Sequence, residues 1–307
     1  MRYASILLLL VAAILSSCHF NKASKGMGEY TIKDIEIYQD TDAWELAQAV
    51  KSQNTGKINK IAKENPELLN LQDPKYQTTL LIWAVGMEKY KAAEALLKNG
   101  ADPNIISGYE GGTALYLAAG YSWVDRNAKK DAKYVKLLLK YGADPNINFV
   151  GSEKEMLIPP EESGKDAVYT GVGRSPLMAS IPCGIEKTKA LVEAGADIDH
   201  KDAEGHTAAL VAIGYPEYAY YLIAEKKANI KDPYFIHLID PVAPNYTEYF
   251  LVDSLRDWIC KLDSEEYKMK MEIVEEFARQ GIDYWSTEIP PRKLEQIKKL
   301  YPDSWEE

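Results

Sequence analysis

Apolar positions in this chain come in short paired runs, and the pairs recur. Four runs open on a hydroxyl residue and continue apolar: Thr79 to Ala84 (TLLIWA), Thr113 to Ala118 (TALYLA), Ser175 to Ser180 (SPLMAS) and Thr207 to Ala212 (TAALVA). Each is followed by a second run that ends in a shared phrase. The phrase is LLKNGADPN from Leu96, LLKYGADPN from Leu138, LVEAGADID from Leu191 and a worn LIAEKKANI from Leu222, in which Lys227 stands at the glycine position. The pattern predicts paired helices. Thr or Ser caps the first helix, the Leu pair buries the second, and Gly ends it in a left-handed residue. Asp and Asn then turn the chain.

The spacing fixes a ruler. Thr79 to Thr113 is 34 residues and Ser175 to Thr207 is 32. Thr113 to Gly142 is 29 where Thr79 to Gly100 is 21, which places about eight extra residues at 121–128 between the helices of one unit. Asn146 to Ser175 is 29 where Asn104 to Thr113 is 9, so about twenty extra residues swell a connection near 149–170. Upstream, Thr41 or Asp42 is placed to cap a helix through Val50, with a second helix over Lys57–Lys63 and a turn at Pro66. Downstream, Asp232-Pro233 and 240–244 read as loops. Helices are then predicted over Tyr249–Leu262 and Glu265–Arg279, with a last one from Pro291 to Leu300. The unit from 41 to 301 is thus six helical pairs, the last atypical (245–301), with a C-terminal cap.

These marks resemble the ankyrin repeat, whose period is about 33 residues. The resemblance is carried by the Thr-x-Leu-x-x-Ala openings and the Leu-Leu-x-x-Gly-Ala-Asp endings. It implies an all-α solenoid with β-hairpin-like loops, and protein–protein binding without catalysis. In such stacks the hairpin tips and first helices line a concave face. That pattern assigns partner contacts to Lys75, Tyr76 and Thr78, to Tyr109 and Glu110, to Val172 and Arg174, and to Glu204 and His206. Met87, Tyr121 and Tyr215 follow at the ends of first helices. Tyr218, Tyr220 and Tyr221 extend the patch, some of them turned to the core. Tyrosine is abundant, 21 in all, and gives large contact area at low entropy cost. Both insertions are expected to flank the partner site, with Trp123 as a docking anchor or a self-packing lid.

The first residues follow another logic. Arg2 precedes an apolar stretch, Ala4–Leu15, too short to span a bilayer and suited to a signal peptide. Leu15-Ser16-Ser17-Cys18 resembles a bacterial lipobox. That resemblance implies a signal peptide over 1–17 and lipid attachment, palmitate included, at Cys18. A tether over 18–40 follows, with Tyr30–Tyr38 as a short extended segment. His19 after the Cys favours the outer membrane, so the expected address is the bacterial envelope, facing the periplasm. Cys183 and Cys260 fall about two repeats apart, farther than a disulfide spans, and are expected to be free thiols, Cys260 on a helix.

Charge and chemistry narrow the function. The net charge of −10 with no basic run argues against nucleic-acid binding. Gly171-Val172-Gly173-Arg174-Ser175 lacks the Lys-Ser/Thr ending of a phosphate loop. His200 to His206 holds two His with Asp202 and Glu204, the one zinc-like cluster, yet Asp202, Gly205 and Thr207 fit the hairpin pattern without metal. No cofactor, metal or catalytic residue is expected, and the chain is expected to be monomeric. Three function classes remain: a tethered binder, in concrete form an immunity or inhibitor protein for a toxic effector; an accessory scaffold for an envelope enzyme; and, disfavoured, a metal protein or enzyme.

Overall fold

The computed structural model describes residues 30–120, 122–124, 131–152, 156–158, 168–169, 171–236 and 247–302. The six helical pairs are there. The inner helices are Trp44–Lys51, Leu80–Gly86, Ala114–Ala119, Pro176–Ala179, Ala208–Ala212 and Leu251–Leu255. Their outer partners are Thr55–Glu64, Tyr90–Lys98, Lys133–Lys140, Ile185–Glu193, Pro216–Glu225 and Glu265–Arg279, and Pro291–Leu300 closes the end. The first five inner helices pack successively on one another, and all six outer ones do. One hydrophobic core runs through the stack from Ile35 to Tyr284. Leu80, Leu96, Leu115, Leu138, Leu177, Leu191 and Leu222 are fully buried, each worth about 1.5–3 kcal/mol of burial.

The cap chemistry is repeated. The hydroxyls of Thr79, Thr113, Ser175 and Thr207 accept from the amides of Ile82, Tyr116, Met178 and Leu210, at 3.2, 3.2, 3.2 and 3.3 Å. Gly100, Gly142, Gly195 and Gly281 close the outer helices at φ of 96, 87, 90 and 84°, a region costly for residues with a Cβ. Lys227 takes the same role at φ 62°. Here the amide of Ala228 bonds to the carbonyl of Leu222, six residues back, where Ala143 bonds to Leu138, five back. The outer helix takes up that extra residue by winding Tyr220–Glu225 as a π turn.

A second element of order lies outside the helices. Asn70 Oδ1 accepts the amide of Asp102, Asn104 Oδ1 that of Asp144 and Asn146 Oδ1 that of Asp197, each at 2.8 Å. Asp199 Oδ1 accepts the amide of Asn229 at 2.7 Å. Asn104 and Asn146 also donate to the carbonyls of Gly142 and Gly195, both at 3.1 Å. Meanwhile Asp102 and Asp144 accept the amides of Asn104 and Asn146 within their own turns, at 2.9 and 2.8 Å. In each Gly-Ala-Asp-Pro-Asn phrase, then, Asp shapes the turn and Asn ties it to the next repeat.

Several expectations are corrected. Tyr30–Tyr38 is not extended: Ile35–Tyr38 is a 3-10 turn, with Ile32, Ile35, Ile37 and Tyr38 buried. The first inner helix begins at Trp44, with Ala43 at its cap position and no side-chain cap. The predicted Tyr249–Leu262 helix ends at Leu255, which leaves Cys260 in irregular chain. Side chains meet the carbonyls of this stretch: Lys270 Nζ donates to Trp258 O at 2.6 Å and Tyr301 Oη to Cys260 O at 3.2 Å. Arg256 turns inward to Tyr284 O at 2.6 Å and Thr287 Oγ1 at 2.8 Å, its guanidinium 3.9 Å from the Tyr284 ring centroid. Cys183 and Cys260 are free thiols, the first buried and the second half-buried. The longer insertion carries a two-stranded antiparallel pair, Met156–Ile158 with Val168–Tyr169, and a second pair joins Tyr234–Ile236 to Thr247–Tyr249. Cys18 and residues 1–29 lie outside the described residues.

Candidate functional site

The inner face is assembled from hairpin tips laid side by side. The amides of Gly108 and Tyr109 bond to the carbonyls of Gln77 and Tyr76, at 3.2 and 3.1 Å. Val150 bonds to Gly111 O at 2.8 Å, Phe149 to Arg174 O at 2.9 Å and Ala203 to Val172 O at 2.8 Å. These bonds place Tyr76, Tyr109, Glu110, Arg174, Glu204 and His206 along one edge. Asp73 holds the first tip from within: Oδ1 accepts from Lys75 and Tyr76, and Oδ2 from Thr78. Asp202 holds the last, with Oδ1 accepting the amides of Glu204 and His206.

The two ends of this face differ. At the N-terminal end the chain covers itself. Tyr30 O accepts from Lys75 Nζ and from Tyr76 Oη, both at 2.8 Å. Tyr38 Oη donates to Thr78 O at 2.7 Å, and Trp83 Nε1 to Lys33 O at 3.2 Å. Lys33 Nζ reaches Trp123 O at 2.7 Å. Lys75 remains exposed, but Tyr76 is half-buried and stands edge-on to Tyr109, ring centroids 4.9 Å apart. Thr78, read from the sequence as a contact, is fully buried.

Trp123 belongs to this covered end. Its amide bonds to Gly86 O at 3.1 Å and its ring lies on Gly86. Of the two readings the sequence left open, the self-packing lid describes its position. The residue it seals against is a glycine 37 positions earlier, which no local pattern marks. Tyr121 lies outside the described residues.

Toward the middle, the face opens into a cleft of about 370 Å³. Its lining comes from three inner helices (Ile82, Tyr116, Leu117 and Ala179), from the hairpin tips (Glu110 and Arg174) and from the root of the long insertion (Phe149 and Ser152). Phe149 is buried and stacks on Tyr116, centroids 5.3 Å apart and planes at 18°. Cys183 and Ile181 close the far wall. The sequence named Glu110 and Arg174 as separate contacts. It gave no sign that they share a cleft, because the insertion that brings Phe149 over Tyr116 hides the register between them.

At the C-terminal side, His206 Nδ1 lies 3.4 Å from Asp202 Oδ2 and 3.5 Å from Glu204 Oε2. The bond to Asp202 raises the imidazole pKa, against the opposing effect of burial. Burial pushes the Asp202 carboxyl up, but the hydrogen bonds from the His206 ring and backbone, with the lesser Glu204 amide, hold it below its ordinary value. His200 looks elsewhere, its Nε2 2.7 Å from Gly173 O and 3.1 Å from Asn148 Nδ2. The two imidazoles therefore serve different turns. Tyr215 is 41% exposed and edge-on to Tyr218. Tyr218 is buried, accepting from the Gly184 amide at 2.9 Å and donating to Pro182 O at 3.0 Å. Tyr221 is buried too, while Tyr220 is half-buried with its hydroxyl on Glu272.

A third feature was missed. Lys187, on the outer helix Ile185–Glu193, is 3% exposed and donates to Ala119 O and Gly120 O at 3.3 and 3.0 Å. It closes the inner helix that the short insertion follows, where a cation suits the carbonyl end. Burial holds its pKa below the ordinary lysine value.

Residues 46–149 match the profile of ankyrin repeats, in three copies. The fold is an ankyrin-repeat solenoid. Ankyrin repeats imply binding to another protein. Protein PhlB of Serratia liquefaciens is 32% identical over 163 residues, which are 53% of this chain and 58% of that protein. This chain therefore spans less than two thirds of that relative's length.

Proposed function

We propose that this chain is a non-catalytic, lipid-anchored protein of the bacterial envelope that captures another protein on the open part of its inner face. Its concrete form is an immunity or inhibitor protein that neutralises a toxic effector. The observation that carries the reading is the cleft beneath Glu110 and Arg174, continued by the half-buried Glu204–His206 tip and the exposed Tyr215. Aromatic and Arg side chains at a partly desolvated concavity are what binding hot spots are made of. The apolar run before Cys18 supports the anchor, by acyl chains and not by a spanning helix. Anchoring at the outer membrane would hold the face toward the periplasm.

The experiment is affinity capture from envelope extracts, with and without Cys18→Ala. The expected result is one stoichiometric protein that is harmful when produced alone. The Cys18→Ala chain should leave the membrane fraction and lose acyl labelling. A large multi-protein complex would favour an accessory scaffold for an envelope enzyme instead. Retention of the Cys18→Ala chain in the membrane would sink the anchor.

A further inference from the structure

Arg174 stands at the mouth of the cleft, half-buried, its side chain folded back so that a Cβ added at Gly171 would come 2.9 Å from its Cδ. Its backbone is committed, Arg174 O accepting from Phe149 and Arg174 N bonding to Gly171 O. Its guanidinium has no hydrogen-bond or ion-pair partner among the described residues. That is unusual in a chain with 46 acidic side chains and a net charge of −10. Among the described residues, the carboxylates along this edge have contacts of their own. Asp202 serves the Glu204 and His206 amides and the His206 ring, Glu204 also faces that ring, and Glu110 has a partner of its own. A planar five-donor cation kept partly out of water, with no acceptor among the described residues, is matched to a carboxylate that arrives from outside. Beside it the floor is apolar: the Tyr116–Phe149 stack, Ile82, Leu117 and Ile181.

We infer that the cleft takes a two-point anchor from the partner: an aromatic or branched apolar side chain seated on Tyr116 and Phe149, with a carboxylate on an adjacent residue paired to Arg174. The inference rests on the concave-face reading above and names the chemistry of what that face receives. A cavity of about 370 Å³ holds one large side chain, not a folded element.

The test is selection of a displayed library of random dodecapeptides on the purified chain, followed by anisotropy titration of the enriched peptides. The expected motif is a large apolar residue next to Asp or Glu. Arg174→Gln should weaken binding about 10- to 100-fold, the worth of one charged hydrogen-bonded contact. Arg174→Glu should weaken it further and recover affinity when the peptide acid is exchanged for Lys. Ala179→Phe, which fills the cleft, should abolish binding whatever the peptide charge. Motifs that are basic or uncharged, affinity indifferent to Arg174→Gln, or no enrichment at all would overturn the two-point anchor. If such peptides still lose affinity on Tyr109→Ala or Tyr215→Ala, the concave-face reading stands without it; if those changes are silent as well, both fall.

Discussion

The placement of Trp123 can be tested by the sign of a stability change at Gly86. Gly86 ends an inner helix at ordinary helical geometry. On an isolated helix, Gly→Ala there gains about 0.8–1 kcal/mol of propensity. In this fold the added Cβ would lie 2.5 Å from Trp123 Cδ2 and 2.8 Å from Cζ3, distances that force the ring or the helix to move. Overpacking of that kind costs about 1–3 kcal/mol. Gly86→Ala should therefore lower stability by up to about 2 kcal/mol. In a Trp123→Ala background the clash is gone, and the same change should raise stability by up to about 1 kcal/mol. The coupling in the double-mutant cycle is then about 1–3 kcal/mol, measured as shifts of the urea midpoint at unchanged slope. A Gly86→Ala effect equal in both backgrounds, within about 0.5 kcal/mol, would refute the packing of Trp123 on the inner helix.

Three further outcomes follow from named bonds. Asn146→Ala removes the bonds to the Asp197 amide and the Gly195 carbonyl; since the site is exposed and water can replace them, the expected loss is about 1–2 kcal/mol by urea unfolding. The bond between His206 and Asp202 gives a pH signature. The His206 pKa is raised, so its contribution is complete below the ordinary value of 6.5 and is lost as pH rises through the raised one. The Asp202 pKa is lowered, so its share is present above 3.8 and lost as pH falls through the lowered value. The melting-temperature gap between wild type and His206→Gln should narrow from mildly acidic to alkaline pH, and a gap that widens would contradict the pairing. Lys227→Gly relieves a left-handed lysine worth about 1 kcal/mol but loses the 2.7 Å pair with the buried Glu276. Burial pushes that carboxyl up, while Lys227, Gln280 and Arg279 outweigh it and hold it low. Without Lys227 the Glu276 carboxyl is no longer held as low, so the variant should be near neutral in stability at neutral pH and lose less stability than wild type on acidification, read by urea midpoints at neutral and acid pH.

What the sequence made legible was local chemistry. A Thr or Ser cap, a left-handed Gly and an Asp turn act within four residues of themselves, so Thr79, Gly142 and Asp144 could be assigned without neighbours. Glu265–Arg279 and Pro291–Leu300 emerged with the bounds their periodicity implied. The failures share one cause, partners remote in sequence. Past Leu255 the stretch expected to be helical is irregular, and its Trp258 and Cys260 carbonyls are held by Lys270 and Tyr301, far on in the sequence. Tyr30–Tyr38 reads as extended by itself, but Lys33 O accepts from Trp83 Nε1, 50 residues on, and Tyr38 Oη donates to Thr78 O, 40 on. For the same reason Thr78, expected at the contact row, is buried, and Tyr76 is half-buried. Tyr76 and Thr78 are covered by a segment whose composition resembles a linker. Glu110 and Arg174, named on hairpin position alone, turned out to border one cleft.

In the proposed function the partner meets the open inner face and not the outer helices. A photo-crosslinking residue placed singly at Tyr109, at Tyr215 and at Lys136, which is exposed on the outer helix Lys133–Lys140, tests it in producing cells. One shared cross-linked species is expected from positions 109 and 215 and none from 136. Cross-links from Lys136 alone, or equally from all three positions, would contradict it.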